Sequence, residues 1–258
     1  MPEQVARRST PEEIELIRKR EELSAISAVL AERELELIDL RTTLSAFQGR
    51  YLREVGTLYA ELDEWNARIE EARARLNPSD ASNFQADEAR RKARESYEEA
   101  QAESSEAREF TPSPELKKMY REAARRIHPD FAANADDCER RTRLMAEANR
   151  AYENGDEEAL RRILRDYESS PDLVEGDSIG AELVRTIRRI SIATERVAAI
   201  ENELVSLRQG EIGLLKAQAD AREENGGDLL AELAGIVREQ IEAARRTYAD
   251  IAKADCAP

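Results

Sequence analysis

A chain of 258 residues has room for one or two domains, but only 5 % of this one is aromatic while 37 % is charged, a composition for helix seams rather than a thick globular core. Its net charge of −15 argues against nucleic-acid binding by the molecule as a whole, because phosphate needs a basic face, and against a membrane surface. Two distant cysteines and a single histidine argue against a disulfide framework or a zinc site and fit a reducing compartment; without a signal-peptide core or a run near the roughly 20 apolar residues that span a bilayer, a cytoplasmic protein is expected.

Alanine, leucine, glutamate and arginine dominate, and no β-branched run alternates at period two. The expected class is therefore all-α, with a helical hairpin set between long coiled-coil helices. Three sections follow one another: residues 11–107, 110–168 and 174–254.

The first section opens on Thr10-Pro11-Glu12-Glu13, a cap followed by proline at the first helical position and acids near the positive end of the dipole. From Leu23 through Leu30, Leu37, Leu44, Tyr51, Leu58, Trp65 and Leu76, apolar residues recur at steps of three and four, interrupted by polar Glu34. A pattern this long without internal caps reads as a coiled-coil helix. About 65 residues at ~1.5 Å each would make a rod of roughly 95 Å. The seam slips in phase between Tyr51 and Leu58, where Gly49 and Gly56 lie, so a kink or local unwinding is expected there. Asn77-Pro78-Ser79-Asp80 ends this helix and caps the next, from about Ala81 to Arg108. That second helix is poor in large apolar residues apart from Phe84 and Tyr97, and is expected to fold back on the first as an antiparallel partner.

In the middle section, Leu116, Tyr120, Ala123, Ala124 and Ile127 mark one face of a helix whose remaining surface carries Lys117, Lys118, Arg121, Arg125 and Arg126. Between Pro114 and Ile127 five basic residues face two acidic ones, a local charge of +3. Pro129 stops the helix and pushes His128, the lone histidine, out of helical angles. His128-Pro129-Asp130 is thus expected on a loop at the end of a basic rod. A second helix is expected from Cys138 to about Tyr152, with Tyr120 and Tyr152 as core residues pinning the pair. Asn154-Gly155-Asp156-Glu157-Glu158 then caps a further helix through Leu160, Ile163, Leu164 and Tyr167.

After Ser169-Ser170-Pro171-Asp172 the third section carries a seam through Leu183, Ile187, Ile190, Val197, Leu204 and Leu214, a turn at Asn225-Gly226-Gly227, and a second seam from Leu229 to Ile251. Two long helices joined by a tight turn make an antiparallel hairpin. Its stripe needs a cover, either the N-terminal rod or a second copy of the chain.

The middle section resembles the J-domain of DnaJ-type co-chaperones over about a fifth of the chain. The stretch from Leu116 to Asp130 matches that family's second helix and signature loop, and Arg143 to Tyr152 matches its third helix, which ends in Ala151-Tyr152. Met145 stands where an aromatic is usual and Ala148 where a larger aliphatic is common. The family's first helix, with its Tyr-x-x-Leu-Gly element, is replaced by Phe110-Thr111-Pro112-Ser113-Pro114, and the helix ending near Arg108 is the candidate to take its place. Phe131 stands where a lysine often follows the tripeptide.

The resemblance implies an antiparallel J-like hairpin. It also implies that His128, Pro129 and Asp130 contact the ATPase domain and interdomain linker of a DnaK-type heat-shock chaperone, accelerating its ATP hydrolysis. Lys117, Lys118, Arg121, Arg125 and Arg126 would dock on an acidic surface of that partner. A local basic field on an acidic molecule suits such steering, and Asp130 could accept charge-assisted bonds from a partner arginine. On this reading the chain is not itself an enzyme and needs no cofactor or metal: it has no glycine-rich phosphate loop, nucleophile–base set or ligand cluster. Its arms would make it a homo-oligomer, most simply a dimer, or direct it to a client. The competing reading is a structural or adaptor coiled-coil protein in which the J-like module is degenerate.

Overall fold

The computed structural model describes residues 10–102, 110–132, 134–168 and 178–255. Among them there is no strand, so the class is all-α as the composition indicates. No described helix is long and apolar enough to cross a membrane.

Helix α1 spans Pro11–Tyr51. Its start is a reciprocal cap: Glu13 N–H donates to Thr10 Oγ1 at 3.3 Å, and Thr10 N–H donates to Glu13 Oε2 at 2.8 Å. At the phase slip the helix does unwind, into one π turn over Leu52–Gly56, before α2 runs Thr57–Leu76. Helix α3, Asp80–Ala102, is capped by Ser79, whose Oγ accepts from Ser82 N–H at 3.1 Å. The expected extension of α3 to Arg108 falls outside the described residues.

Helix α4 (Pro114–Ile127) begins on Ser113, which accepts from Leu116 N–H, with proline at the first helical position. A single 3-10 turn, Pro129–Phe131, leads to α5 (Ala135–Glu153). Gly155 takes the left-handed angle (φ 69°) that lets the chain leave α5 and enter α6, Glu157–Glu168. Asp156 caps α6 through Ala159 N–H. Beyond, α7 spans Ile179–Gln209, α8 Glu211–Glu224 and α9 Leu229–Asp255. The expected first helix of the C-terminal hairpin is thus broken at Gly210, whose ψ of 161° is extended. The turn into α9 uses Gly226 at φ 76°.

The helices assemble as two compact units, each drawn from separated stretches: residues 1–42 with 110–208, and 43–109 with 209–258. In the first unit α7 runs parallel to α1. Arg20 pairs with Glu182, Glu34 with Arg196 and Arg41 with Glu203, always 162 positions apart and alternating in sign. Leu30 and Leu37 pack there on Ala193, Val197, Ile200 and Leu204. A second stripe of α1, Ala31, Leu35 and Ile38, packs on the core of α4, α5 and α6. Between Ala193 and Leu204 the stripe of α7 is therefore covered by the N-terminal helix of its own chain, while Ile187 stays exposed.

In the second unit α3 lies antiparallel to α2, tied by Arg90 to Glu64 and Glu71 and by Lys92 to Asp63. Ala60, Ala67 and Ala74 recur every seventh residue on α2, as do Ala86, Ala93 and Ala100 on α3, and all six are buried. In the register of those ion pairs the two alanine rows face each other. Helix α9 runs parallel to the end of α1 and to α2: Asp228 pairs with Arg50 and Glu61 with Arg245, around Phe47, Val55, Leu230, Val237 and Ile241.

Candidate functional site

The His-Pro-Asp turn sits at the tip of the antiparallel α4–α5 pair. Tyr120 and Tyr152 pin that pair: both are fully buried, with ring centroids 4.9 Å apart. The Tyr120 hydroxyl donates to Asn149 Oδ1 at 2.7 Å and the Tyr152 hydroxyl to Asp39 Oδ1 at 3.2 Å. Burial pushes both phenols above their ordinary range, with the charge of Glu34 adding to the effect on Tyr120 and that of Asp39 on Tyr152.

Arg141 holds the turn from behind. Its Nη1 donates to the carbonyl of Arg126 at 2.9 Å, its Nε to Asp137 Oδ2 at 2.8 Å, and its guanidinium stacks 5.4 Å from the Tyr167 ring. One carbonyl of the last turn of α4 is thereby satisfied by a buried side chain.

His128 turns inward and is only 3 % exposed, which corrects the expectation of a histidine presented at the loop. Its Nδ1 accepts from Asp130 N–H at 3.2 Å, which leaves Nε2–H to donate to Glu34 Oε1 at 3.1 Å. Glu34 is buried and also receives Arg196 from α7, Nη2 at 2.8 Å and Nε at 2.9 Å. Burial by itself raises the Glu34 carboxyl, but the hydrogen bond from His128 and the charge of Arg196 outweigh it and hold the group below the usual carboxylate range. Pro129 and Asp130 are half-buried, and Asp130 Oδ2 lies 3.5 Å from His128 Nδ1. Phe131 tilts over the imidazole at 5.7 Å between ring centroids and packs on the α1–α7 cluster. Phe131 thus has partners within the chain.

The basic residues of α4 divide into two groups. Lys117, Arg121 and Arg125, four residues apart, face α1: Lys117 Nζ meets Asp39 Oδ2 at 2.6 Å, Arg121 Nη1 meets Glu32 Oε2 at 3.4 Å and Arg125 Nη2 donates to Ser24 Oγ at 2.9 Å. The descending order of the α1 partners makes the two helices antiparallel. Lys118 is exposed, and Arg126 pairs with Glu122 at 2.6 Å; both line a groove of about 650 Å³ between α1 and α4.

The structure therefore brings His128, Pro129, Asp130 and the basic helix together, and adds Glu34, Asp39, Arg141 and Arg196, which were not singled out for the site. Glu34 had one signal, the polar gap in an apolar seam. The core of α4, α5 and α6 is covered by the Ala31, Leu35 and Ile38 stripe of α1; the end of the helix near Arg108, the candidate for that place, lies outside the described residues.

Cys138 is exposed, and Cys256 lies outside the described residues. No three His, Cys, Asp or Glu side chains converge among the described residues as a metal site would require. Comparison with known proteins returned no matching family model, no matching curated protein and no matching solved structure.

Proposed function

We propose that this chain is a J-type co-chaperone that docks on a DnaK-type heat-shock chaperone through α4 and the His128-Pro129-Asp130 turn and speeds its ATP hydrolysis. The observation that carries the reading is the basic helix Pro114–Ile127, ended by that tripeptide and packed antiparallel on Ala135–Glu153 through Tyr120 and Tyr152. Lys118 is exposed to an acidic partner, beside Arg126 in its pair with Glu122, and the local field steers such a partner against the overall negative charge. None of these groups acts on ATP; the partner is the enzyme.

The test is single-turnover ATP hydrolysis by a DnaK-type chaperone over a range of concentrations of this protein. Stimulation that reaches a plateau with the wild type and is lost with His128→Gln supports the reading. Absence of stimulation, with a chaperone that responds to another co-chaperone, favours the second reading, an adaptor in which the hairpin is a structural element. The burial of His128 against Glu34 is the observation on that side.

Self-association belongs to the same proposal. Ile14 and Ile17 on α1 and Val184 and Ile187 on α7 remain between 44 % and 59 % exposed, outside the seams that α1 and α7 share. A mass of two chains by light scattering at micromolar concentration is expected, and a mass of one chain removes this element.

A further inference from the structure

The docking face of α4 already has an occupant, and it is acidic. Ser24, Glu32 and Asp39 follow one edge of α1 at steps of seven and eight residues, opposite Arg125, Arg121 and Lys117 at steps of four. One turn inward, Glu34 takes the only polar hydrogen that the His128 imidazole can donate in this tautomer. Three of the five basic side chains of α4 and the histidine of the turn are thus engaged by one helix of the same chain. Phe131 adds an apolar anchor on the α1–α7 cluster, so the loop is held by charge and by burial together.

We propose that α1 is an internal competitor for the docking face, and that the module engages an acidic partner surface only when the Glu34 contact has opened. The inference rests on the co-chaperone reading and specifies its regulation. The partly exposed pairs of Lys117, Arg121 and Arg125 are each weak and exchange readily for a partner's carboxylates. The Glu34 carboxylate differs because it is buried between Arg196 and His128, where breaking one contact leaves charge without a partner. That cluster is the element that keeps the face closed. Arg196 connects the closure to α7, so a ligand that shifts α7 against α1 would open the turn.

A face that is competent only a small fraction of the time lowers apparent affinity by that fraction. The experiment compares the chaperone's single-turnover rate at increasing concentrations of wild type, Glu34→Gln and Glu34→Gln/His128→Gln, with helicity checked by circular dichroism. The amide keeps the size of the side chain and an acceptor for His128 but removes the charge that holds Arg196. The expected result is a half-maximal concentration at least about tenfold lower for Glu34→Gln than for wild type, with stimulation lost in the double variant. Coincident curves for wild type and Glu34→Gln overturn the internal competitor while the co-chaperone reading stands. No stimulation by either overturns both.

If Glu34→Gln loses helicity, Glu32→Gln/Asp39→Asn replaces it. Asn still offers an oxygen to the Tyr152 hydroxyl, a smaller shift of the same sign is expected, and an unshifted curve overturns the proposal. The single histidine gives an independent readout. Nitrogen-15 spectra should show its imidazole as the Nε2–H tautomer in the wild type and a displaced signal in Glu34→Gln; an unmoved signal contradicts the proposed contact.

Discussion

In the first unit helices meet through large side chains and a buried polar cluster; in the second, α2 and α3 meet through rows of alanine. Tyr120, Tyr152, Ile127 and Leu160 are essentially inaccessible in the one, while Ala67 and Ala93 occupy the equivalent role in the other. The same heptad spacing therefore serves two kinds of contact. Large residues remove much apolar area from water but tolerate no deletion, because the cavity stays behind. Alanine removes little area and lets two helices approach closely, so such a contact is vulnerable to added volume rather than to lost volume.

The comparison breaks most visibly at Tyr120. Tyr120→Ala should cost about 3–5 kcal/mol in urea unfolding, the range for deleting a buried aromatic; a cost below ~1 kcal/mol would mean that the hairpin core is loosely packed. Next comes Glu34→Ala, which leaves Arg196 and His128 without their carboxylate and should cost about 3 kcal/mol, the lower end for a broken buried pair because Arg196 can reach water.

Its pH dependence has a definite sign. The folded Glu34 carboxyl lies below its ordinary value of 4.5, so on acidification the unfolded chain takes up the proton first. The stabilisation is present above about 4.5 and is lost as pH falls through the lowered folded value. Acid unfolding curves of wild type and Glu34→Gln should therefore converge as the pH drops below 4.5. A gap that stays constant would show that the carboxylate is not coupled to folding.

In the second unit the expected effect is smaller and of the other kind. Ala67→Leu should cost about 1–3 kcal/mol by overfilling the α2–α3 contact, whereas a stabilised variant would show that the rows are not in close contact. The smallest effect belongs to Phe84, 67 % exposed on α3, where replacement by alanine should stay within about 0.5 kcal/mol in the same assay. A larger loss would identify a cover for that ring.

The capping residues account for what was legible in the sequence. Thr10, Ser79 and Asp156 each accept from the backbone near the helix start they were expected to mark, because a cap is a local bond between residues three apart; Ser113 caps α4 in the same way without having been singled out. The slip at Tyr51–Leu58 was equally readable, since an extra residue in a helical turn shifts the apolar phase. Tyr120 followed from periodicity, whereas Tyr152 was marked by the Ala151-Tyr152 pair at the end of its helix.

The second stripe of α1 was not readable. Leu30 with Ala31 and Leu37 with Ile38 are neighbours in sequence, and a reading that seeks one seam assigns one member of each pair and passes over the other. Glu34 was visible only as an interruption, because its partners His128 and Arg196 lie 94 and 162 residues away. The alanine rows were discounted for lacking bulk, although bulk is what that contact must avoid. The burial of His128 depends on α1 and could not be read from the hairpin.

The offset of 162 to 172 residues between paired residues of α1 and α7 also has a consequence for synthesis. Both stripes of α1 leave the ribosome long before their partners exist: α4 follows after some 75 residues, and α7 is complete only at Gln209. At the usual ~5–20 residues per second, α7 trails the end of α1 by about 10–30 s. During that interval Leu30 and Leu37 have no native cover, and the second unit waits in the same way for α9. The nascent chain is a long apolar-striped helix seeking any partner, and its slow step is the closing of distant contacts rather than the winding of any one helix.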